Sequence, residues 1–309
     1  MTHISKLRQL VKGTLLENEP MSKHTSYGIG GPALAYIIPK DRDDLAKILR
    51  FAKKNEIPVH FVGSGSNLLV NDQGIDGLVI TPAKALRILT FKGNCIEAES
   101  GVMLGKIVKE SIKRNLSGLE SLIGVPGTLG GALMMNAGAF GGEISNYLKS
   151  IDIMKLTGRI YTLSPENLDF GYRYSSLNPD EFILLARFEL PKTSSEIIQG
   201  KRIKASQGRK KSQPLRFRSS GSIFKNPGAN LAAGYLIDQA GLKGACIGDA
   251  EISTKHSNFF VNHGSAKATD IAKLIFLTRK TVYEKYGVML ELEVKTIGFC
   301  QSELDPYAA

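Results

Sequence analysis

Two glycine-rich segments hold the residues whose types and spacing point most directly to chemistry. Residues 62–70 read VGSGSNLLV and follow VHFVG, a short apolar stretch typical of a strand. Successive backbone N–H groups in such a turn can surround an anion, and serine and asparagine side chains add donors. The G-x-G-x-x-G pattern that opens a dinucleotide-binding helix is not met, because the residues after Gly65 are strand-like and no third glycine follows. The segment alone therefore fits either a phosphate-binding loop or a plain turn.

The second segment, residues 125–142, reads VPGTLGGALMMNAGAFGG and consists largely of glycine and alanine. Residues this small are needed where the backbone comes close to something flat or bulky. The alternative is a tightly packed loop without a ligand. Two such loops in one chain favour a large dinucleotide that has both a pyrophosphate and a planar ring.

Charge and cysteine usage narrow the classes of partner. The formal net charge is +11 and the pI is about 9.4, which favours anionic partners. Residues 201–218 carry eight basic and no acidic residues, so they form either a solvated helix and loop or a patch that steers anions. Phe217 is their only aromatic residue, which disfavours a single-strand nucleic-acid platform.

Cys95, Cys246 and Cys300 are isolated and the histidines form no paired motif, so we expect no metal site and a reducing compartment.

The elements that must position these residues fall into three segments, which we predict to be domains 1–80, 81–195 and 196–309. In the first, residues 36–39 are a strand candidate, and the periodicity of residues 41–55 predicts a helix before the VHFVG strand. In the second, two hairpins, at Gly93-Asn94 and at Thr157-Gly158, precede the strand FILLARFEL. They predict a mixed or antiparallel sheet.

The third segment begins with a basic helix. Thr269 is a candidate cap for a long helix, and the alternating residues 288–299, VMLELEVKTIGF, predict a closing strand. No stretch approaches the ~20 apolar residues that span a bilayer. The N-terminus is charged throughout and lacks a signal peptide's apolar core. We therefore expect a cytoplasmic protein that is not bound to a membrane.

Six segments between Lys23 and Gly298 resemble, in order, the motifs of the UDP-N-acetylenolpyruvoylglucosamine reductase (MurB) family. They are KHTSYGIGGPA, VGSGSNLLV, IGVPGTLGGALMMNAGAFGGE, GYRYS, SSGSIFKNPG and LELEVKTIG. The resemblance implies an α+β protein. Its FAD-binding fold would be of the vanillyl-alcohol oxidase type, with two α/β subdomains, and a C-terminal α+β substrate-binding domain would follow.

The sequence departs from the family's pattern at two positions. Gly28 stands where the family often has a basic residue, and Leu34 stands where an aspartate is common. In addition, 48 residues separate Arg173 from Ser222. This short spacing resembles the family's shorter type, which lacks an inserted tyrosine-bearing loop.

The resemblance also implies an activity. It is the NADPH-dependent, FAD-mediated reduction of UDP-N-acetylglucosamine enolpyruvate to UDP-N-acetylmuramate, in peptidoglycan precursor synthesis. FAD is the implied cofactor and NADPH the co-substrate. We expect a monomer without a nucleic-acid partner.

Three catalytic residues follow from the resemblance: Arg173, Ser222 and Glu293. The guanidinium fork of Arg173 suits a carboxylate whose charge rises in the transition state. The resemblance alone makes Ser222 the proton donor, assisted by a cation such as Lys225 or one of the pair at 210–211. Strand periodicity puts Glu291 on the same face as Glu293, so only the family's spacing selects Glu293.

Further residues are implied to contact the ligands. Those for substrate are Tyr172, Lys225 and Asn226. Those for FAD are Gly63, Ser64, Gly65, Ser66, Asn67, Leu68, Pro126, Gly127, Thr128, Gly130, Gly131, Asn136 and Gly138. Two alternatives are an oxidase of the same fold that passes electrons from FAD to oxygen, and a nucleic-acid-binding protein suggested by the charge.

Overall fold

The structure is a computed structural model and describes residues 3–308. The helices of this range are α1 His3–Leu10, α2 Arg42–Lys54, α3 Leu104–Lys113, α4 Leu129–Met134, α5 Ser195–Ser212, α6 Ala233–Gln239, α7 Ala268–Tyr286 and α8 Gln301–Leu304. The strands are β1 Thr14–Pro20, β2 Pro32–Ile38, β3 Val59–Phe61, β4 Leu68–Val70, β5 Ile75–Ile80, β6 Leu89–Lys92, β7 Cys95–Glu99, β8 Gly138–Ala139, β9 Gly142–Glu143, β10 Leu148–Met154, β11 Ile160–Leu163, β12 Phe170–Gly171, β13 Tyr174–Ser175, β14 Phe182–Glu189, β15 Cys246–Ile247, β16 Ala250–Ile252, β17 Phe260–Asn262 and β18 Lys295–Ile297.

The chain divides into two compact units, each assembled from several stretches of sequence. Unit 1 contains the described residues up to Asn18, together with Leu34–Ser64 and Asp76–Arg209. Unit 2 contains Glu19–Ala33, Gly65–Ile75 and the described residues from Lys210 onward. The segment 62–70 thus contributes to both units. This division does not test the three predicted domains, which remain a proposal.

A four-stranded sheet in unit 1, with the order β1-β2-β5-β3, shares its apolar core with helix α2. The helix is N-capped by Asp41, whose carboxylate accepts the backbone N–H of Asp44 at 2.8 Å. Acidic residues lie in its first turn and basic residues in its last, which complements the helix dipole. Its buried apolar face includes Leu45, Ile48, Leu49 and Ala52, as the sequence periodicity predicts.

The second sheet of unit 1 has the strand order β11-β10-β14-β7-β6, and every neighbouring pair is antiparallel. Both predicted hairpins are present, with Gly93 and Gly158 at positive φ in their turns. Helix α3 follows the first hairpin, and its apolar face packs in the core of this sheet. The expectation of an antiparallel sheet is therefore confirmed.

In unit 2, the three-stranded sheet β15-β16-β17 and helices α6 and α7 pack around one apolar core. Helix α7 begins at Ala268, after Lys267, so the predicted cap at Thr269 is wrong. The carboxylate of Asp72 instead accepts the backbone N–H groups of Ala268 and Thr269 at 2.8 and 3.0 Å. Two otherwise unpaired N–H groups are thereby satisfied, and a negative charge meets the positive end of the helix.

The predicted closing strand is only partly correct. Of residues 288–299, only Lys295–Ile297 form a strand, and it pairs in parallel with β4. The residues before it alternate in burial, with Leu290 and Val294 buried and Glu291 exposed, but they pair with another segment. The alternating sequence pattern therefore reflects alternating burial of the side chains and does not indicate a continuous strand. None of the helices described is long and apolar enough to cross a membrane.

Candidate active site

In unit 1, Gly63 lies against Thr128, so the two glycine-rich segments meet. A Cβ atom on Gly63 would collide with the Thr128 hydroxyl, while Thr81 Oγ1 donates to the Gly63 carbonyl oxygen at 3.1 Å. Within residues 3–308, the buried hydroxyls of Ser64 and Thr128 have no hydrogen-bond partner. Because buried hydroxyls are normally paired, two unpaired ones beside a glycine indicate a site for a polar ligand. These residues fit the phosphate end of FAD.

Internal packing explains part of the glycine content of the second segment. Gly130 donates its N–H to the Ser100 carbonyl oxygen at 2.9 Å, and a Cβ on Gly130 would lie 3.1 Å from Ser100 Cβ. Gly127 adopts a φ of 125° and accepts the Leu104 N–H at 3.0 Å. Pro126 and Gly131 are exposed beside these buried positions. Internal packing and backbone conformation therefore account for glycine at positions 127 and 130 whether or not a ligand binds there.

Arg173 lies in the two-residue turn of the hairpin β12–β13, with a φ of 55°. Non-glycine residues rarely adopt this left-handed conformation, and the surroundings must hold it in place. The buried amide of Asn136 does so by donating to the Gly171 carbonyl oxygen at 3.0 Å and to Glu143 Oε2 at 2.8 Å. The Asn136 side chain therefore supports the arginine turn from within the glycine-rich segment.

A second arginine shares the environment of Arg173. Arg209 donates from Nε to the Ile123 carbonyl oxygen at 3.0 Å, and its guanidinium lies 5.6 Å from the centroid of the Phe140 ring. Burial, and then the charge of Arg173, lower the pKa of Arg209. The Arg173 charge can act on Arg209 in this way only if the two guanidinium groups lie in one environment, so positive charge is concentrated at this point of unit 1. The sequence placed Arg209 in the basic run but gave no sign of this neighbour.

Among the predicted substrate residues, Tyr172 lies in unit 1 and precedes Arg173. Its side chain is 46% exposed, and the Arg173 guanidinium carbon lies 4.9 Å from the ring centroid. Gly138 is close to the same arginine, since a Cβ there would lie 3.4 Å from Arg173 Nη1. Unit 1 thus brings together the predicted residues from the glycine-rich segment and from GYRYS.

In unit 2, the segment that carries Ser222 lies beside the segment that carries Glu293. The Glu293 N–H donates to the Ile223 carbonyl oxygen at 2.8 Å, and Phe224 pairs with Leu292. Ser222 itself is half-buried and pairs with Phe259. Two predicted catalytic residues that are 71 positions apart are therefore held on adjoining backbone segments.

Asn258 fixes the serine segment and was missed by the sequence analysis. It is 3% exposed; its Oδ1 accepts the Phe224 N–H at 2.9 Å and its Nδ2 donates to the Phe224 carbonyl oxygen at 2.8 Å. Its own carbonyl oxygen accepts the Ile223 N–H at 2.9 Å. No local pattern around a single asparagine could have indicated this role.

The two glutamates that periodicity left equivalent have different surroundings. The Glu291 side chain is 75% exposed and pairs with Lys225 Nζ at 3.2 Å, whereas Glu293 is half-buried. Lys225 is therefore already engaged by a carboxylate. Asn226 accepts the backbone N–H of Ala233 through Oδ1 at 3.1 Å, at the start of α6.

Residues 65–70, the part of the first glycine-rich segment that belongs to unit 2, contact the segment that carries Glu293. Gly65 has a φ of 65°, and a Cβ there would collide with the His24 carbonyl oxygen. Ser66 is half-buried, and Leu68 pairs with Lys295. Asn67 Nδ2 donates to the Glu293 carbonyl oxygen at 3.0 Å. The protein's own backbone is thus sufficient to require glycine at position 65.

The matching profiles define the class of protein as an FAD-binding flavoprotein. A family described as "FAD binding domain" matches residues 33–164, and "UDP-N-acetylenolpyruvoylglucosamine reductase, C-terminal domain" matches residues 213–297. Two curated relatives carry the name UDP-N-acetylenolpyruvoylglucosamine reductase. The protein of Caldanaerobacter subterraneus subsp. tengcongensis is 41% identical over 96% of this chain and 98% of its own length. That of Clostridioides difficile is 41% identical over 96% of this chain and 97% of its own length.

The crystal structure of the Thermus caldophilus UDP-N-acetylenolpyruvylglucosamine reductase (MurB) is also similar. It superposes with a TM-score of 0.77 at 34% identity, covering 92% of this chain and 98% of that one. The chain belongs to the UDP-N-acetylenolpyruvoylglucosamine reductase (MurB) family. The predicted family, FAD-binding fold and FAD cofactor are confirmed.

Proposed function

We propose that Arg173, Ser222 and Glu293 are the catalytic residues of this reductase. The reaction of the family is the NADPH-dependent reduction of UDP-N-acetylglucosamine enolpyruvate to UDP-N-acetylmuramate in peptidoglycan precursor synthesis. The chemistry that bound FAD supplies is hydride transfer from NADPH to the alkene carbon remote from the carboxylate. The protein must bind, orient and stabilise the reacting groups.

The first task is to hold the cofactor. We assign the phosphate end of FAD to the residues around Gly63, Ser64 and Thr128. The observation that supports this assignment is the pair of buried hydroxyls without a protein partner. The remaining FAD contacts predicted from the sequence belong to the same proposal.

The second task is to stabilise negative charge. Hydride addition to the alkene builds charge on the carboxylate side of the substrate as an enolate-like dianion. The Arg173 guanidinium can meet that charge with two parallel N–H donors, and the nearby Arg209 adds to the positive potential. The support for this role is the left-handed backbone of Arg173, which Asn136 holds in place.

The third task is to deliver a proton to the carbon attached to the ether oxygen. We assign it to the Ser222 hydroxyl, with Glu293 completing the catalytic set. The observation that carries this assignment is the 2.8 Å hydrogen bond from the Glu293 N–H to the Ile223 carbonyl oxygen, next to Ser222. Serine is a weak acid, so a cation must assist it. Lys225 is bonded to Glu291, which leaves the lysine pair at 210–211 as the other candidate.

We further propose that Tyr172, Lys225 and Asn226 contact the substrate, and that the protein is a cytoplasmic monomer without a nucleic-acid partner. Sedimentation of the FAD-loaded protein tests the monomer. A single species near 33.6 kDa, the mass of the chain, is the expected result.

The cofactor and the reaction are tested together by anaerobic absorbance measurements. The purified protein should be yellow and should release FAD, not FMN, on denaturation. NADPH should bleach the flavin absorbance, and the enolpyruvyl substrate should restore it. A colourless protein that FAD does not reconstitute would contradict the proposal. Rapid oxygen consumption without NADPH would favour the oxidase instead, and salt-dependent DNA binding by flavin-free protein would favour the nucleic-acid alternative.

A further inference from the structure

Asn67 lies in the first glycine-rich segment, but its polar groups are directed to the segment of Glu293. The side-chain Nδ2 donates to the Glu293 carbonyl oxygen at 3.0 Å. The Asn67 carbonyl oxygen accepts the Lys295 N–H at 3.1 Å. Asn67 therefore contacts the backbone on both sides of Val294.

The other side of Glu293 is fixed by the serine segment. Its N–H donates to the Ile223 carbonyl oxygen at 2.8 Å, and the Val294 N–H approaches the same oxygen at 3.3 Å. The backbone of Glu293 is thus held at its N–H by one segment and at its carbonyl by another. Regular strand pairing begins at Lys295, so these two contacts hold the backbone of Glu293 ahead of the strand.

We propose that Asn67 is a positioning residue for Glu293, and that it links the first glycine-rich segment to the catalytic glutamate. This rests on the proposed catalytic role of Glu293. The side-chain amide of Asn67 donates to the Glu293 carbonyl, and the β4–β18 pairing begins one residue after Asn67 in the chain direction. A carboxamide donor is required, because a carboxylate of the same shape would bring two oxygens together.

The test is Asn67→Asp, with Asn71→Asp as the matched control. Asn71 directly follows the first glycine-rich segment, and its Oδ1 accepts the Gln73 N–H at 2.9 Å, an interaction that an aspartate retains. Both variants add one carboxylate. FAD affinity is measured first, and both half-reactions are then followed at saturating FAD.

We expect Asn67→Asp to be reduced by NADPH at nearly the normal rate and to be reoxidised by substrate roughly 10- to 100-fold more slowly, as for a displaced catalytic group. Asn71→Asp should leave the ratio of the two rates unchanged. Unchanged reoxidation in Asn67→Asp would overturn the proposal. An equal fall of both half-reactions at saturating FAD would also overturn it, because Asn67 would then act through the flavin alone and not through Glu293.

A second measurement does not depend on activity. In flavin-free Asn67→Asp, the backbone N–H groups of Glu293 and Lys295 should exchange with solvent faster than in the parent, whereas Asn71→Asp should not change them. Unchanged exchange would overturn the positioning role even if FAD no longer bound. Glu293→Gln is assayed in parallel. If it reoxidises normally, the catalytic role of Glu293 fails, while the exchange rates still report on Asn67.

Discussion

At the scale of single residues, the Ser222 hydroxyl has one task in the proposed reaction. NADPH reduces the flavin before any substrate carbon needs a proton, so Ser222→Ala should leave flavin bleaching nearly normal. Reoxidation by substrate should slow by roughly 10²–10⁴-fold, the contribution typical of a general acid. Stopped-flow absorbance of each half-reaction measures this. A parallel loss in both would make Ser222 a structural or flavin-binding residue, and a loss in neither would place the proton donor elsewhere.

The neighbouring glutamates provide an internal comparison at the same scale. Glu293 is half-buried with its peptide fixed at both ends, whereas Glu291 is exposed and pairs with Lys225. We expect Glu293→Gln to lower turnover of the enolpyruvyl substrate by orders of magnitude. Glu291→Gln should have a much smaller effect, because an exposed ion pair is worth about 0–1 kcal/mol. Steady-state kcat decides, and the reverse ranking would show that the family's spacing was applied to the wrong glutamate.

At the scale of elements, a substitution where the loops of Gly63 and Thr128 meet can show whether this contact serves FAD binding or protein stability. The Thr128 hydroxyl is buried without a protein partner, so Thr128→Val removes a group that stabilises nothing in the flavin-free protein. Its Tm should stay unchanged or rise. The Kd for FAD should increase about 10- to 100-fold, the equivalent of the 1.5–3 kcal/mol of a hydrogen bond to a charged group.

The matched control is Thr278→Val in helix α7. Thr278 is also fully buried, and its hydroxyl also has no partner within residues 3–308. The same atom is removed from an equally buried position, so the flavin-free Tm should respond in the same direction. The FAD affinity should not change. Equal FAD affinities in the two variants would show that the Thr128 hydroxyl does not face the cofactor.

The elements also show how far the sequence predicts this structure. Helix α2, both hairpins and the antiparallel sheet follow from local signals, because caps, turn glycines and periodicity lie within a few residues of one another. The cap of α7 does not, because Asp72 is almost 200 positions away from the N–H groups that it accepts. The sequence also did not indicate that the side chains of Asn67 and Asn258 hold the segments of Glu293 and Ser222, because those segments are far away along the chain.

Gly65 shows a further limit of sequence reasoning. The sequence suggests that Gly65 admits a ligand, and Gly65→Val would then test flavin binding. In the structure a Cβ at this position collides with the backbone of His24, and φ is positive. The substitution would therefore disturb unit 2 with or without FAD. A glycine needed for ligand binding is better recognised at Gly63, which faces the Thr128 side chain and not backbone. The unpaired hydroxyls beside it are the second indication of a ligand.

At the scale of the whole molecule, the net charge of +11 should act on association and not on chemistry. NADPH and the UDP-sugar substrate are polyanions, and a positive protein raises their rate of encounter. Salt screens this attraction, since the Debye length falls from about 10 Å at 0.1 M to about 3 Å at 1 M. We expect kcat/KM for both substrates to fall by about tenfold over that range, with kcat little changed.

The same measurement decides whether the basic run 201–218 is a steering patch or a solvated face. The exposed residues Arg202 and Lys204 lie on helix α5, and the equally exposed Lys53 and Lys54 end helix α2. Two double variants, Arg202→Gln with Lys204→Gln and Lys53→Gln with Lys54→Gln, remove the same charge. If the run steers anions, the first pair should lower kcat/KM at low salt and flatten its salt dependence more than the second. Equal effects would assign the attraction to net charge alone, because screening then acts on the molecule as a whole and not on one helix.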